Sequence, residues 1–233
     1  MLAVLYAPGQ RPSLDDVRRA GEVSGAFAVS HDPGGDAGWA ELLITGLTFD
    51  VAGLAGLPGE AAPLVAHRFG LAWDWRGDAL EAVLVRPGAH LAGAAAMLPV
   101  VRACVALGAT LAEHTDAAAV VWIPARAAMA PDYFVATIAE WLGGGAFPAL
   151  GLTALVAGGS GVKSEGLAYF TGQEIEVCGG DRTQASRIAV RMVHTLVSHG
   201  PLAAPIQLTG PDGEPLLAEP SGDASWVRVT LRP

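Results

Sequence analysis

Two short apolar stretches decide the fold: LAVLYA at residues 2–7 and AAVVWI at residues 118–123. A strand with one face in water alternates polar and apolar side chains, whereas a strand covered on both faces is apolar throughout. We therefore expect each stretch to be an interior strand of a sheet.

The segments that follow each stretch predict the same order of strands and helices. Ser13 with Asp16, and Asp181 with Gln184, predict helix starts, because each pair can satisfy the free amides of a first turn. Pro99 predicts a kink or a split in the long helical pattern between the halves. The predicted strands are 2–7, 26–31, 40–51 and 79–85, then 118–123, 150–156, 167–177, 206–208 and 226–231; the predicted helices are 14–21, 61–69, 90–113, 131–142 and 182–199.

This repeated order predicts an α+β fold. It suggests two tandem ferredoxin-like (βαββαβ) halves, with helices packed on antiparallel or mixed sheets. The halves would span residues 1–86 and 87–233, or together form one compact domain. With 233 residues, 52% of them hydrophobic and 16% charged, the chain can bury a substantial core.

The net charge and the spacing of the Cys and His residues restrict which partners and metals the chain can bind. Fourteen Lys and Arg stand against 23 Asp and Glu, which gives a formal net charge of -9. Binding to nucleic acid or to an anionic membrane needs clustered basic residues, so neither partner is expected. Cys104, Cys178 and the histidines show no metal-ligand spacing, and we expect reduced thiols, no metal and no cofactor.

No targeting or membrane segment is predicted. The first residues lack the basic region and long apolar core of a signal peptide, which favours a cytoplasmic protein. Residues 141–162 carry no charge, but several glycines and Pro148 interrupt them. Such residues mark turns, so a membrane-spanning helix is not expected there.

Three segments carry a resemblance to a known family. They are the strand that ends in Trp122 and Pro124, the helix that contains Phe134 and Trp141, and the run GLAYFTGQEIE at 166–176. Together they resemble the uncharacterised bacterial family known as domain of unknown function 4261, over residues 79–199. Thr171 departs from the family pattern, which has Gly there. The resemblance implies a bacterial source and no particular activity, because the family has no assigned catalytic residue.

Glu174 and Glu176 are the main candidates for chemistry. They lie two apart on a predicted strand, so both carboxylates point to one face, where they could act in glycoside hydrolysis or share a hard cation. A solvated strand face explains the same alternation. Trp122 and Arg126, at the carboxyl end of a predicted central strand, and Tyr169 would line the same candidate pocket.

Two further groups of side chains each have two explanations. Trp73 and Trp75, if extended, would set two rings on one face, as a stacking platform for a sugar or a base or as a cover for the core. His194 shares a helix face with Arg187 and Arg191, away from the apolar stripe. That pattern favours a solvated face over a catalytic base.

The segment 226–231 predicts association, because Arg228 is its only charge and an uncharged edge strand tends to find a partner. We expect a homodimer, or a protein partner, that uses this strand. Every catalytic motif sought lacks an essential element, so the sequence favours a non-catalytic binding or protein-interaction module. Two alternatives stay open: a hydrolase that uses Glu174 and Glu176, and a small-ligand sensor built on Trp73 and Trp75.

Overall fold

A computed structural model describes residues 1–34, 37–159 and 161–231. The chain divides into two units, Met1–Gly145 and Ala146–Pro233. The predicted boundary after residue 86 falls inside the first unit, because the strands on either side of that boundary belong to one sheet.

In the residues that the structure describes, the first unit contains a mixed sheet with three α-helices. Its strands are β1 (Leu2–Tyr6), β2 (Ala28–His31), β3 (Trp39–Ile44), β4 (Leu47–Ala52), β5 (Glu60–Ala61), β6 (His67–Phe69), β7 (Glu81–Pro87), β8 (Ala119–Trp122) and β9 (Ala127–Met129). Its helices are α1 (Leu14–Ser24), α2 (Leu98–His114) and α3 (Pro131–Leu142), with short 3-10 turns at Ala89–Ala94 and Ile123–Ala125. In the part of the chain that is described, the strand order is β2-β3-β4-β7-β1-β8-β9-β6, and β5 also pairs with β7.

The prediction that β1 and β8 are interior strands is confirmed. β1 pairs with β7 on one side and with β8 on the other, and β8 pairs in turn with β9. The two strands are neighbours in one sheet, however, and not the centres of two separate sheets. The α+β class with mixed sheets is therefore confirmed, whereas this strand order does not confirm a tandem ferredoxin-like layout.

Both faces of β1 are covered, which explains its apolar composition. On one face α2 comes so close that a Cβ at Gly108 would lie 2.5 Å from Leu2 Cδ2. On the same face the Tyr6 hydroxyl lies 2.8 Å from Thr115 Oγ1. On the other face Ala3 and Leu5 join a buried cluster that is covered by loop residues.

Two predicted elements of the first unit are wrong in detail. Residues 61–69 form no helix but run from β5 to β6, because Pro63 disfavours helical geometry in the residue before it. The strand predicted at 40–51 is a hairpin, since Thr45 and Gly46 adopt positive φ of 49° and 82° between β3 and β4. The predicted split at Pro99 is confirmed, and this proline lies in the first turn of α2.

The second unit is a one-layer sheet with a long helix against it. Its strands are β10 (Ala154–Gly158), β11 (Gly161–Glu165), β12 (Glu174–Cys178), β13 (Ile206–Thr209), β14 (Pro215–Pro220) and β15 (Trp226–Leu231), and its helices are α4 (Ala168–Thr171) and α5 (Arg182–His199). The order of the described strands is β10-β11-β12-β15-β14-β13. The buried stripe of α5, which includes Ile188, Met192 and Leu196, packs over β10, β11 and β12. Asp181 caps this helix as predicted, accepting a hydrogen bond from Gln184 N at 2.9 Å.

Two predictions for this unit are wrong. β15 is an interior strand, because it pairs parallel with β12 and antiparallel with β14, so it cannot be the edge that recruits a second copy. Its alternation of Val227 and Val229 with polar residues suits an interior strand of a one-sided sheet as well as it suits an edge. The strand predicted at 167–177 is also interrupted, since its first half forms α4.

The turn between β14 and β15 predicts a response to acid. The Asp223 carboxylate accepts bonds from the hydroxyls of Ser221 and Ser225 at 2.5 and 2.8 Å and from Ser225 N at 3.1 Å. These bonds lower the pKa of Asp223 from 3.8 to about 2. Because the folded-state value is the lower one, the stabilisation is present above about pH 4 and is lost as the pH falls through about 2.

We expect Asp223→Asn to weaken this dependence. Urea denaturation at a series of acidic pH values should show a flatter decline of stability for the variant than for the wild type. Identical declines would show that the hydrogen bonds of this turn do not couple to folding.

Candidate functional site

Glu174 serves as an anchor for the loop before α4. Its carboxylate accepts hydrogen bonds from the backbone amides of Gly166, Leu167 and Ala168 at 2.8, 3.2 and 3.0 Å, and from the hydroxyl of Ser164. A charged acceptor suits these amides, because the first amides of a helix have no partner inside it. The oxygens of this carboxylate are therefore engaged in holding the loop against β12.

Glu176 has different partners. It lies in a cross-strand row on the sheet face opposite buried Ile175 and Val177, and its carboxylate is 3.3 Å from Lys163 Nζ and 3.4 Å from Arg228 Nη2. The two glutamates thus alternate with apolar residues as predicted. Their carboxylates are nevertheless engaged by separate groups, one in a loop and one in an ion-pair row.

The other predicted pocket residues are divided between the units. Trp122 and Arg126 belong to the first unit, where Trp122 is fully buried and Arg126 is exposed in a left-handed conformation with φ of 49°. Tyr169 belongs to the second unit, where its ring lies edge-on to Phe170 with 5.2 Å between the centroids. Neither unit by itself contains all five predicted pocket residues.

Trp73 and Trp75 do not lie on an extended segment. The chain turns there, and Trp75 N donates to the carbonyl of Ala72 at 3.1 Å. Trp75 packs against the buried cluster of the first sheet, whereas Trp73 is 86% exposed. The core-cover explanation therefore fits Trp75, and the two rings do not form one strand-face platform.

The second unit contains a groove that the sequence analysis assigned to no site. It lies between β10 and α5, is open to solvent and has a volume of about 780 Å³. Its apolar lining residues are Leu150, Leu155, Val190 and Pro211. Its other lining residues, all on α5, are Ser186, Arg187, Arg191, His194, Thr195, Ser198 and His199. We call this feature the β10–α5 groove.

β10, which borders the groove, is an unprotected sheet edge. Among the described strands it pairs only with β11, and its sequence ALVAG has neither charge nor proline. Folded proteins usually protect such edges with charges, prolines, bulges or very short strands. The other edge strands that the structure describes are shorter: β13 has four residues and follows Pro205, β2 has four residues and a register shift, and β5 and β6 have two and three residues.

The rim of the groove is basic. α5 contains three arginines and two histidines and no acidic residue, in a chain whose net charge is -9. Arg187 is neutralised by Asp212, with an Nη2 to Oδ1 distance of 2.8 Å. Among the described residues, none forms an ion pair with Arg191 or His194. The stripe that the sequence favoured as a solvated face therefore borders an apolar groove.

The sequence contains one feature that could have indicated this groove: the predicted helix at 182–199 is rich in basic residues and has no acidic ones. Exposed helices usually mix both signs, since opposite charges three or four residues apart stabilise them. The site was not predicted, because the pattern does not reveal which strand lies beside the helix.

The structure gives no indication of a metal centre or a disulfide in the residues it describes. They contain no group of three His, Cys, Asp or Glu side chains placed to hold a metal ion. Cys104 and Cys178 are both free, and burial raises the pKa of the Cys104 thiol. Of the helices that the structure describes, none has the length and apolar character needed to cross a membrane.

Comparison with protein-family models, with curated proteins and with solved structures finds no match to this chain.

Proposed function

We propose that this chain is a non-catalytic protein-interaction module that binds an extended segment of a partner protein in the β10–α5 groove. The observation that carries the proposal is the position of an unprotected, uncharged sheet edge beside an open apolar groove. From the resemblance of its segments at 118–124, 131–142 and 166–176, we also propose that the chain is a member of the family known as domain of unknown function 4261.

The mode of binding follows from the geometry of an edge strand. A segment that pairs with β10 gains main-chain hydrogen bonds whatever its sequence, and its alternate side chains point toward the helix side of the sheet. The five residues of β10 offer an edge of about 16 Å, enough for a segment of similar length. Leu155 and Val190 then supply the apolar surface that the partner's side chains cover.

The alternatives have less support. A hydrolase that uses Glu174 and Glu176 needs carboxylates that can reach substrate, and Glu174 is engaged by four donors. A sensor built on Trp73 and Trp75 needs rings on a common face, which the turn at Ala72 prevents. Small-molecule sites usually enclose most of their ligand, whereas this groove is open, as peptide-binding grooves are.

Selection from a displayed library of random 12-residue peptides tests the proposal. The selected peptides should carry apolar residues at alternate positions. They should bind Val190→Asp at least about 30-fold more weakly than the wild type, because a charge replaces apolar surface in the groove.

Val197→Asp is the matched control, since Val197 lies on α5, is partly exposed and does not line the groove. Binding to this variant should stay near the wild-type level. Failure to enrich any peptide, or equal losses in both variants, would refute the groove as the docking site.

A further inference from the structure

We infer that the segment bound in the β10–α5 groove is acidic, with its carboxylates facing Arg191 and His199. This inference rests on the proposed function, because it names the partner chemistry of the same site.

The arginines of α5 do not stabilise the helix itself. Arg187 and Arg191 are four residues apart, a spacing at which like charges destabilise a helix. Arg182 lies in its first turn, where the helix dipole favours acidic residues. α1 shows the favourable arrangement, with Asp15 and Asp16 in its first turn. A charge pattern that opposes helix stability is expected where the charges serve binding.

Of the charges that line the groove, only that of Arg187 is neutralised from a neighbouring element among the described residues. No Asp or Glu is among the described residues that line the groove. Asp212, in the turn before β14, pairs with Arg187 at the rim. Arg191, His194 and His199 are left as positive or ionisable groups beside apolar surface. An anionic segment complements this side of the groove, and a cationic one is repelled.

The spacing of the basic groups suits an extended segment. Arg191 and His199 are eight residues apart on α5, about 12 Å along the helix axis. Residues four apart on a strand are about 13 Å apart and point to the same side. Two acidic residues at that spacing, with apolar residues between them on the same side, would match both the basic groups and the apolar lining.

Three synthetic peptides of ten residues test this inference. Each has threonine at every odd position and valine at positions 2, 6 and 10, and they differ only at positions 4 and 8, which hold Glu, Gln or Lys. Calorimetric titration of the full chain at low salt should show the Glu peptide binding about tenfold more tightly than the Gln peptide, with the Lys peptide weakest. The preference should shrink as salt is added.

Arg191→Glu should reverse the order, so that the Lys peptide binds more tightly than the Glu peptide. Arg182→Glu is the control, because Arg182 lies on the same helix but does not line the groove, and it should keep the wild-type order. Equal binding of the three peptides to the wild type would overturn the acidic preference and leave the groove in place. Failure of all three to bind would contradict both the preference and the groove.

Discussion

Glu174→Gln is expected to lower the free energy of unfolding by about 3 kcal/mol, because the variant loses charge-assisted hydrogen bonds that contribute roughly 1.5–3 kcal/mol each before compensation. The carboxylate accepts from three backbone amides and one hydroxyl. Glutamine keeps one acceptor oxygen, and its amide group would face backbone donors. Urea denaturation followed by circular dichroism measures the difference.

Glu176→Gln is the matched control for this experiment. Glu176 is on the same strand and faces Lys163 and Arg228, whose side chains are 46% and 65% exposed. Ion pairs with such exposed partners contribute about 1 kcal/mol or less, so this variant should be nearly as stable as the wild type. A Glu174→Gln variant with wild-type stability would show that the carboxylate is not a structural anchor, and would return it to consideration as a catalytic group.

Leu155→Asp is expected to reduce binding of the Glu peptide by about 100-fold or more. The substitution places a carboxylate in the groove, where it removes apolar contact surface and repels the acidic side chains of the peptide. Calorimetric titration of the purified full chain measures the loss.

Val156→Asp is the matched control, because it adds the same charge to the same strand. Val156 is the next residue of β10, so its side chain points to the opposite face of the strand, and it is 38% exposed. The same charge is thus added to the same edge but outside the groove, and binding should change by less than about threefold. Equal losses in the two variants would show that binding does not use the helix side of β10.

Local features were predictable from the sequence because they depend on neighbouring residues. The apolar run of β1 indicates a strand buried on both faces, and the capping pair of Asp181 and Gln184 indicates the start of a helix. The hairpin at Thr45 and Gly46 was missed although the buried positions change phase there, from Ala40, Leu42 and Ile44 in β3 to Phe49 and Val51 in β4. Thr45 itself is no turn signal, because positive φ is unusual for a residue with a branched side chain.

Strand order was not predictable, because it depends on pairings between distant parts of the chain. β1 pairs with β8 more than a hundred residues away, and nothing in either sequence specifies that partner. The alternation in β15 likewise fits an edge and an interior position equally well. The candidate site was missed for the same reason, since the basic stripe of α5 becomes a groove wall only because β10 is the outermost strand beside it.

Amide hydrogen exchange of the full chain, measured by NMR with and without the Glu peptide, tests strand addition at β10 most directly. An added strand bonds to the outward-facing amides, which alternate along an edge strand. The account predicts that alternate amides of β10 exchange more slowly in the complex, while the amides of the other edge, β13, are unchanged. Protection confined to β12 and β15, or unchanged exchange throughout β10 in a saturated complex, would contradict it.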